Sequence, residues 1–207
     1  MSTKEQLEDE LEKVKKNWTT LLECVSKIQD DTKRDRLYTL LSAQRDRLIV
    51  SPASTQHKYV GCYMGGLVKT TLQMIKLAIG VNAQYPKPVS TDSVITCAVL
   101  CQVGKIGSED EGLYLELNSQ WHNDRGIMYS LNENLNNIDF SVRSLWWANK
   151  YEIPLTEDEL VALASMSSML SSSNQSTYEL PVLAHCIQHA YQVVCRASTG
   201  KKSVLDS

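Results

Sequence analysis

The N-terminal part of the chain is dominated by a hydrophobic repeat of the coiled-coil type. Apolar residues recur at alternating intervals of four and three through residues 3–28, with mostly polar residues between them. The repeat consists of Leu7, Leu11, Val14, Trp18, Leu21, Val25 and Ile28. Such a stripe predicts either a helix that packs on its own chain or a homodimer seam through residues 3–28. Asp30-Asp31 interrupts the repeat before a second leucine-lined helix, so residues 1–50 are predicted to form a helical hairpin.

Helical periodicity also dominates the rest of the chain, so we predict an all-α fold. Helices are expected near 67–79, 92–103, 141–153, 157–170 and 178–196. Thr156 and Glu159 form a capping box for the fourth of these helices. Residues 108–139 look irregular, and Tyr114–Leu117 is the one candidate strand. We therefore predict a helical domain over 51–198 and a flexible tail over 199–207.

Composition narrows the range of functions. Hydrophobic residues make up 43% of the 207 positions, charged residues 22%, and the formal net charge is −3. This balance gives no bulk attraction to nucleic acid or anionic membranes, and no sequence-specific nucleic-acid motif is evident. Because no apolar run approaches the roughly 20 residues of a spanning helix, we expect a cytoplasmic protein without membrane contact. The six cysteines are expected to be reduced thiols.

Four segments occur in an order that resembles a known family. They are Ser51–Ser54 with Tyr63–Val68, Ala98–Gly107, the stretch from Trp121-His122 through Arg143–Leu145 and Leu155–Glu159, and Leu180–His185. Together they resemble the HD-domain metal-dependent phosphohydrolases, especially members from tailed-phage and bacterial genomes. The resemblance covers residues 51–196 and implies an HD-like helical bundle. It also implies a site in which divalent metal ions activate water and neutralise phosphate oxygens.

The resemblance also shows that the metal ligands of the family are replaced. The positions that would hold histidines and aspartates carry Thr70, Cys101, Gln102, Met166, Ser167 and Gln188, and an earlier histidine position falls near Val60. Amide, hydroxyl and thioether groups are poor ligands for magnesium or manganese. The resemblance therefore implies a pseudoenzyme with a vestigial pocket and no metal or cofactor.

Several candidate residues remain around that pocket. Lys105 and Arg143 are our choice for phosphate contacts, and the alternative is that both are solvated or paired with local acids. His185 and His189, with Cys97 and Cys101 at the same spacing, would be a rebuilt zinc site or simply polar and core residues. Cys101 is also weighed as a nucleophile against a buried, inert thiol.

Three hypotheses about function follow. The favoured one is a catalytically inactive HD relative that binds a protein partner, as a phage protein acting on a host or phage complex would, with Trp121 or the Trp146-Trp147 pair as anchors. The alternative is a module that binds a nucleotide or another phosphorylated small molecule without cleaving it. The third is a metal-dependent phosphohydrolase with a remodelled site. The basic pair Lys33-Arg34 is interpreted as part of a solvated helix face.

Overall fold

A computed structural model describes residues 3–166 and 179–196. Within these two ranges nine α-helices run in chain order: α1 Thr3–Val25, α2 Asp31–Ala43, α3 Arg45–Leu48, α4 Gly66–Asn82, α5 Thr91–Val103, α6 Gln120–Asn123, α7 Phe140–Lys150, α8 Glu157–Ala164 and α9 Val182–Tyr191. Two short strands, β1 Tyr114–Glu116 and β2 Tyr129–Leu131, pair antiparallel. The fold is therefore all-α, as predicted.

The N-terminal hairpin packs on the body of its own chain. Trp18 and Leu21 of α1 are buried, and they belong to the same hydrophobic core as the side chains of α4 and α5. The hydroxyl of Tyr38 in α2 donates to the carbonyl oxygen of Leu22 in α1, at 2.7 Å. Leu11, earlier in the repeat, is exposed. The second half of the repeat therefore packs within the chain, and a homodimer through residues 3–28 stays a prediction.

Helix α5 occupies the centre of the molecule. Every residue from Val94 to Val103 is buried, which fits a helix that is apolar on all sides. The side chain of Ser90 caps its first turn, and Asp92 accepts hydrogen bonds from the backbone of Gln29 and Asp30. Helices α4, α7, α8 and α9 surround it. The hydrophobic core therefore includes residues from both sides of residue 50, where the sequence predicted a boundary between the hairpin and the helical domain.

A buried ion pair joins α2 to α8. The Lys33 ammonium lies 2.6 Å and 2.8 Å from the two carboxylate oxygens of Glu159, and both side chains are almost inaccessible to solvent. Glu159 also completes the predicted capping box with Thr156. The interpretation of Lys33 as a solvated residue is therefore wrong, whereas Arg34 does pair with the exposed Asp31.

The other differences from the predicted elements are local. The segment 108–139 contains the predicted strand, and it also contains β2 and the short helix α6. Helix α9 begins at Val182, after Pro181, rather than at 178, and continues into a π-helical turn over Gln192–Arg196. Ser167, the end of the helix predicted to reach 170, and the tail 199–207 lie outside the described residues. Across the described ranges, no helix combines the length and apolar character needed to cross a bilayer.

Candidate functional site

A cavity of the described structure lies between the β1–β2 hairpin and the helices α7 and α9. Its volume is about 670 Å³, which is within the usual range of small-molecule sites. The wall includes the predicted phosphate-binding residues Lys105 and Arg143, the aromatic residues Tyr59, Tyr114, Phe140 and Tyr191, and the apolar residues Leu113, Leu131, Leu135 and Ile138. The structure therefore brings both predicted cations to one cavity.

Lys105 projects from the short helical turn Gly104–Ile106 that follows α5, and its side chain is buried. Its ammonium nitrogen lies 5.5 Å from the ring centroid of Phe140 and 5.1 Å from that of Tyr191. These two rings stack on each other, with centroids 5.6 Å apart. Among the described residues no carboxylate forms an ion pair with Lys105, and the faces of the two rings give it cation–π contacts.

Arg143 lies on α7 and is also buried. One guanidinium nitrogen donates to the backbone carbonyl oxygen of Asn136, at 3.0 Å. Burial lowers the pKa of the Arg143 guanidinium, but an arginine stays charged at neutral pH. No described carboxylate pairs with this side chain either. The alternative that Lys105 and Arg143 are solvated or bridge to local acids is therefore wrong.

The approach of Lys105 to α7 depends on Gly104. A Cβ atom at this position would lie 1.9 Å from the carbonyl oxygen of Phe140, so no larger residue fits without a shift of the backbone. The Gly104 amide donates to the hydroxyl of Ser144, which in turn donates to the Phe140 carbonyl oxygen. The glycine thus lets the turn that carries Lys105 lie directly on the start of α7.

Asp139 is the one carboxylate among the described residues of the wall. One of its oxygens accepts hydrogen bonds from the backbone amide and the hydroxyl of Ser141, at 2.9 Å and 2.8 Å. It therefore acts as the N-cap of α7, where the helix dipole favours a negative charge. Against this single carboxylate the wall has two buried cations, so the cavity suits an anionic ligand.

Cys101 and Gln102, which the resemblance places where the family has metal ligands, pack among sulfur atoms. Cys101 and Gln102 are fully buried on α5. The amide nitrogen of Gln102 lies 2.6 Å from the sulfur of Met74 and 3.3 Å from that of Cys195. The sulfurs of Cys101 and Cys195 lie 3.9 Å and 3.8 Å from that of Met74. Cys195 also lines the large cavity, so this cluster lies behind its wall.

The other described residues assigned to the vestigial pocket lie on different elements, and their contacts differ. The Thr70 hydroxyl donates within α4, to the carbonyl oxygens of Gly66 and Leu67. Gln188 donates to the Ser165 carbonyl oxygen at 3.3 Å and faces a separate cavity of about 290 Å³. Met166 is buried in the core. The assignment of these residues to one former metal site stays a prediction from the resemblance.

The residues considered for a zinc site lie in two different environments. His185 and His189 are exposed beside the smaller cavity, whereas Cys97 and Cys101 are buried in α5. In the ranges 3–166 and 179–196, no three side chains among His, Cys, Asp and Glu converge as ligands of one ion. The predicted pairing of these histidines and cysteines is therefore not formed in the described structure.

Burial also decides the chemistry of the thiols. Burial raises the pKa of Cys101 and of Cys97 far above the ordinary range of a thiol. For Cys195, burial raises the pKa and outweighs the opposing influence of the Lys105 charge. A neutral thiol is a weak nucleophile, so the arrangement favours the inert-thiol alternative for Cys101.

Phe140 and Tyr191 are the site residues that sequence analysis did not identify. They are 51 positions apart, and nothing in the local pattern of either residue indicates that the two rings meet over a lysine. Phe140 is the only phenylalanine in the chain, and this was the one sequence signal that could have drawn attention to it as a site residue. Tyr114 was assigned to a strand, and its hydroxyl donates to the Ala53 carbonyl oxygen on the wall of the cavity.

Comparison of the chain with protein-family models, with curated proteins and with solved structures finds no significant match. The resemblance to the HD phosphohydrolases therefore stays a prediction that depends on the quoted segments. The candidate site depends only on the geometry of the cavity.

Proposed function

We propose that this chain binds a phosphorylated small molecule in the cavity lined by Lys105 and Arg143, and that it does not hydrolyse this ligand. The observation that carries the proposal is the presence of two buried cations without carboxylate partners on the wall of one cavity. A desolvated charge without a counter-charge is unfavourable in the empty protein. A bound phosphate would supply the missing negative charge and accept hydrogen bonds from both side chains.

The absence of hydrolysis is proposed from the chemistry of the side chains that replace the family's ligands. The Thr70 hydroxyl donates within its own helix, and the Gln102 amide donates to sulfur atoms. Neither group carries the negative charge that would hold a hard dication. The proposed class is therefore a binding protein related to the HD phosphohydrolases.

The test measures the binding of inorganic phosphate, pyrophosphate and nucleoside phosphates. Thermal unfolding and calorimetry are the two readouts. A ligand present at 100 times its dissociation constant should stabilise the fold by about 2.7 kcal/mol. Lys105→Met should abolish the stabilisation. Lys76→Met is the control, because Lys76 is exposed on α4 and does not line the cavity. If no phosphate compound stabilises the wild-type protein, the proposal is wrong.

A second candidate function is the binding of a protein partner, and the exposed tryptophans favour it. Trp121 is 56% exposed, and the Arg125 guanidinium lies 3.9 Å from its ring centroid. Trp146 is also exposed on α7. Tryptophan and arginine are the residues most often found at the centre of protein interfaces. A partner captured by the wild-type chain should be lost with Trp121→Ser and retained with Leu115→Asn, which changes another exposed apolar residue.

A further inference from the structure

The cavity has a charged inner part and an outer part where exposed apolar side chains lie beside the exposed Asn136 and Asn137. Lys105 and Arg143 are buried at the inner part. At the opening, Leu131 is 55% exposed and Ile138 is 43% exposed, although both belong to the wall. Apolar side chains at the mouth of a concave site favour a ligand that removes them from water. The two parts therefore select for different chemical groups of the same ligand.

The size of the cavity supports a ligand that reaches both parts. An inorganic phosphate has five non-hydrogen atoms and displaces roughly 150 Å³ if each atom takes the ~30 Å³ share of a water molecule. The cavity volume is about 670 Å³. Most of the space therefore remains for the body of the ligand, next to Leu131 and Ile138.

Two polar side chains of the wall, Asn132 and Tyr114, are engaged within the protein. The Asn132 amide nitrogen donates to Glu111 and to the Gly112 carbonyl oxygen, and its oxygen accepts from the Asn134 amide. The Tyr114 hydroxyl donates to the Ala53 carbonyl oxygen. A ligand body rich in hydroxyl groups would lose hydrogen bonds to water without replacing them at these two side chains. An apolar body loses none.

We infer that the ligand is an organic monophosphate with an apolar or aromatic body, in preference to a sugar phosphate. This inference rests on the proposed function, because it needs Lys105 and Arg143 to hold the phosphate group. It adds that Leu131 and Ile138 determine specificity through contact with the body of the ligand. Each CH₂ group that moves from water into such a contact contributes about fourfold in affinity.

The experiment compares 1-naphthyl phosphate, glucose 6-phosphate, adenosine monophosphate and inorganic phosphate by isothermal titration calorimetry on the full chain. 1-Naphthyl phosphate should bind at least about tenfold more tightly than each of the other three. Leu131→Asn should weaken the binding of 1-naphthyl phosphate about three- to tenfold and leave that of inorganic phosphate unchanged. 1-Naphthol, which lacks the anion, should bind far more weakly than its phosphate.

Leu115→Asn is the matched control. Leu115 lies in β1, on the strand paired with that of Leu131, is 46% exposed and does not line the cavity. This variant should bind 1-naphthyl phosphate as the wild type does. Equal affinities for all four phosphates, or an unchanged affinity in Leu131→Asn, would overturn the inference and leave the proposed function intact. Failure of every anion to bind would overturn both.

Discussion

Two buried lysines in this fold have opposite surroundings. Lys33 contacts both oxygens of Glu159 at hydrogen-bonding distance, and the pair is closed off from solvent. Lys105 is buried to a similar degree but faces two aromatic rings and a cavity. The first charge is neutralised by a carboxylate of the protein, and the second has no carboxylate partner among the described residues. Burial of a lysine therefore says little about its role until its counter-charge is known.

The largest expected effect comes from breaking the closed pair. Lys33→Met leaves the Glu159 carboxylate buried without its partner and should lower the free energy of unfolding by about 3–5 kcal/mol. Urea denaturation measures the change. The control is Lys27→Met, because Lys27 is exposed at the end of α1. A loss below about 1 kcal/mol would show that the pair contributes little.

Replacing both members of the pair should restore most of that stability. In the double variant Lys33→Met with Glu159→Met, no unpaired charge remains, so the total loss should fall to about 1 kcal/mol. The residual loss reflects the missing acceptor for the Thr156 amide in the capping box. If the losses of the two single variants simply add in the double variant, the two charges do not act as a pair.

Lys105→Met sharpens the comparison, because the same substitution should here have a small effect on folding. It removes contacts to two rings and also a desolvated charge, so unfolding free energy should change by no more than about 1 kcal/mol. Urea denaturation of this variant and of Lys33→Met compares the two losses of unfolding free energy directly. A loss as large as that of Lys33→Met would mean that Lys105 has a structural counter-charge.

The smallest effect should appear at the thiol beside Lys105. The positive charge of Lys105 lowers the pKa of Cys195 against the larger effect of burial, so Lys105→Met should raise that pKa further. A higher pKa means less thiolate at a given pH and slower alkylation. Mass spectrometry of iodoacetamide labelling at pH 8 measures the rate at Cys195, with Cys24 on α1 as the internal reference. Faster labelling in the variant would contradict the assigned charge.

The same comparison shows what could be predicted from the sequence. The nearest acids to Lys33 in the chain are Asp31 and Asp35, which favoured a solvated helix face. Its actual partner, Glu159, is 126 positions away and was assigned only to a helix cap. Periodicity and capping motifs are local signals, so they identified the helices and the α8 cap. They do not show which distant side chains meet in the core.

Lys105 and Arg143 were identified through the resemblance, but the cavity that joins them could not be predicted. It depends on β2, on the stack of Phe140 with Tyr191 and on the direct contact between Gly104 and α7. Each of these features requires segments far apart in the sequence to be placed together. The pattern of residues 108–139 showed only one short strand, because a three-residue strand leaves almost no periodic signal.

The contact at Gly104 also distinguishes the two walls of the cavity. The backbone of this turn lies against the Phe140 carbonyl oxygen and donates a hydrogen bond to Ser144, so the turn and the start of α7 are in direct contact. The opposite wall is a pair of three-residue strands with exposed leucines. If the cavity changes its width, we expect the change at the hairpin, whose strands are short and partly exposed.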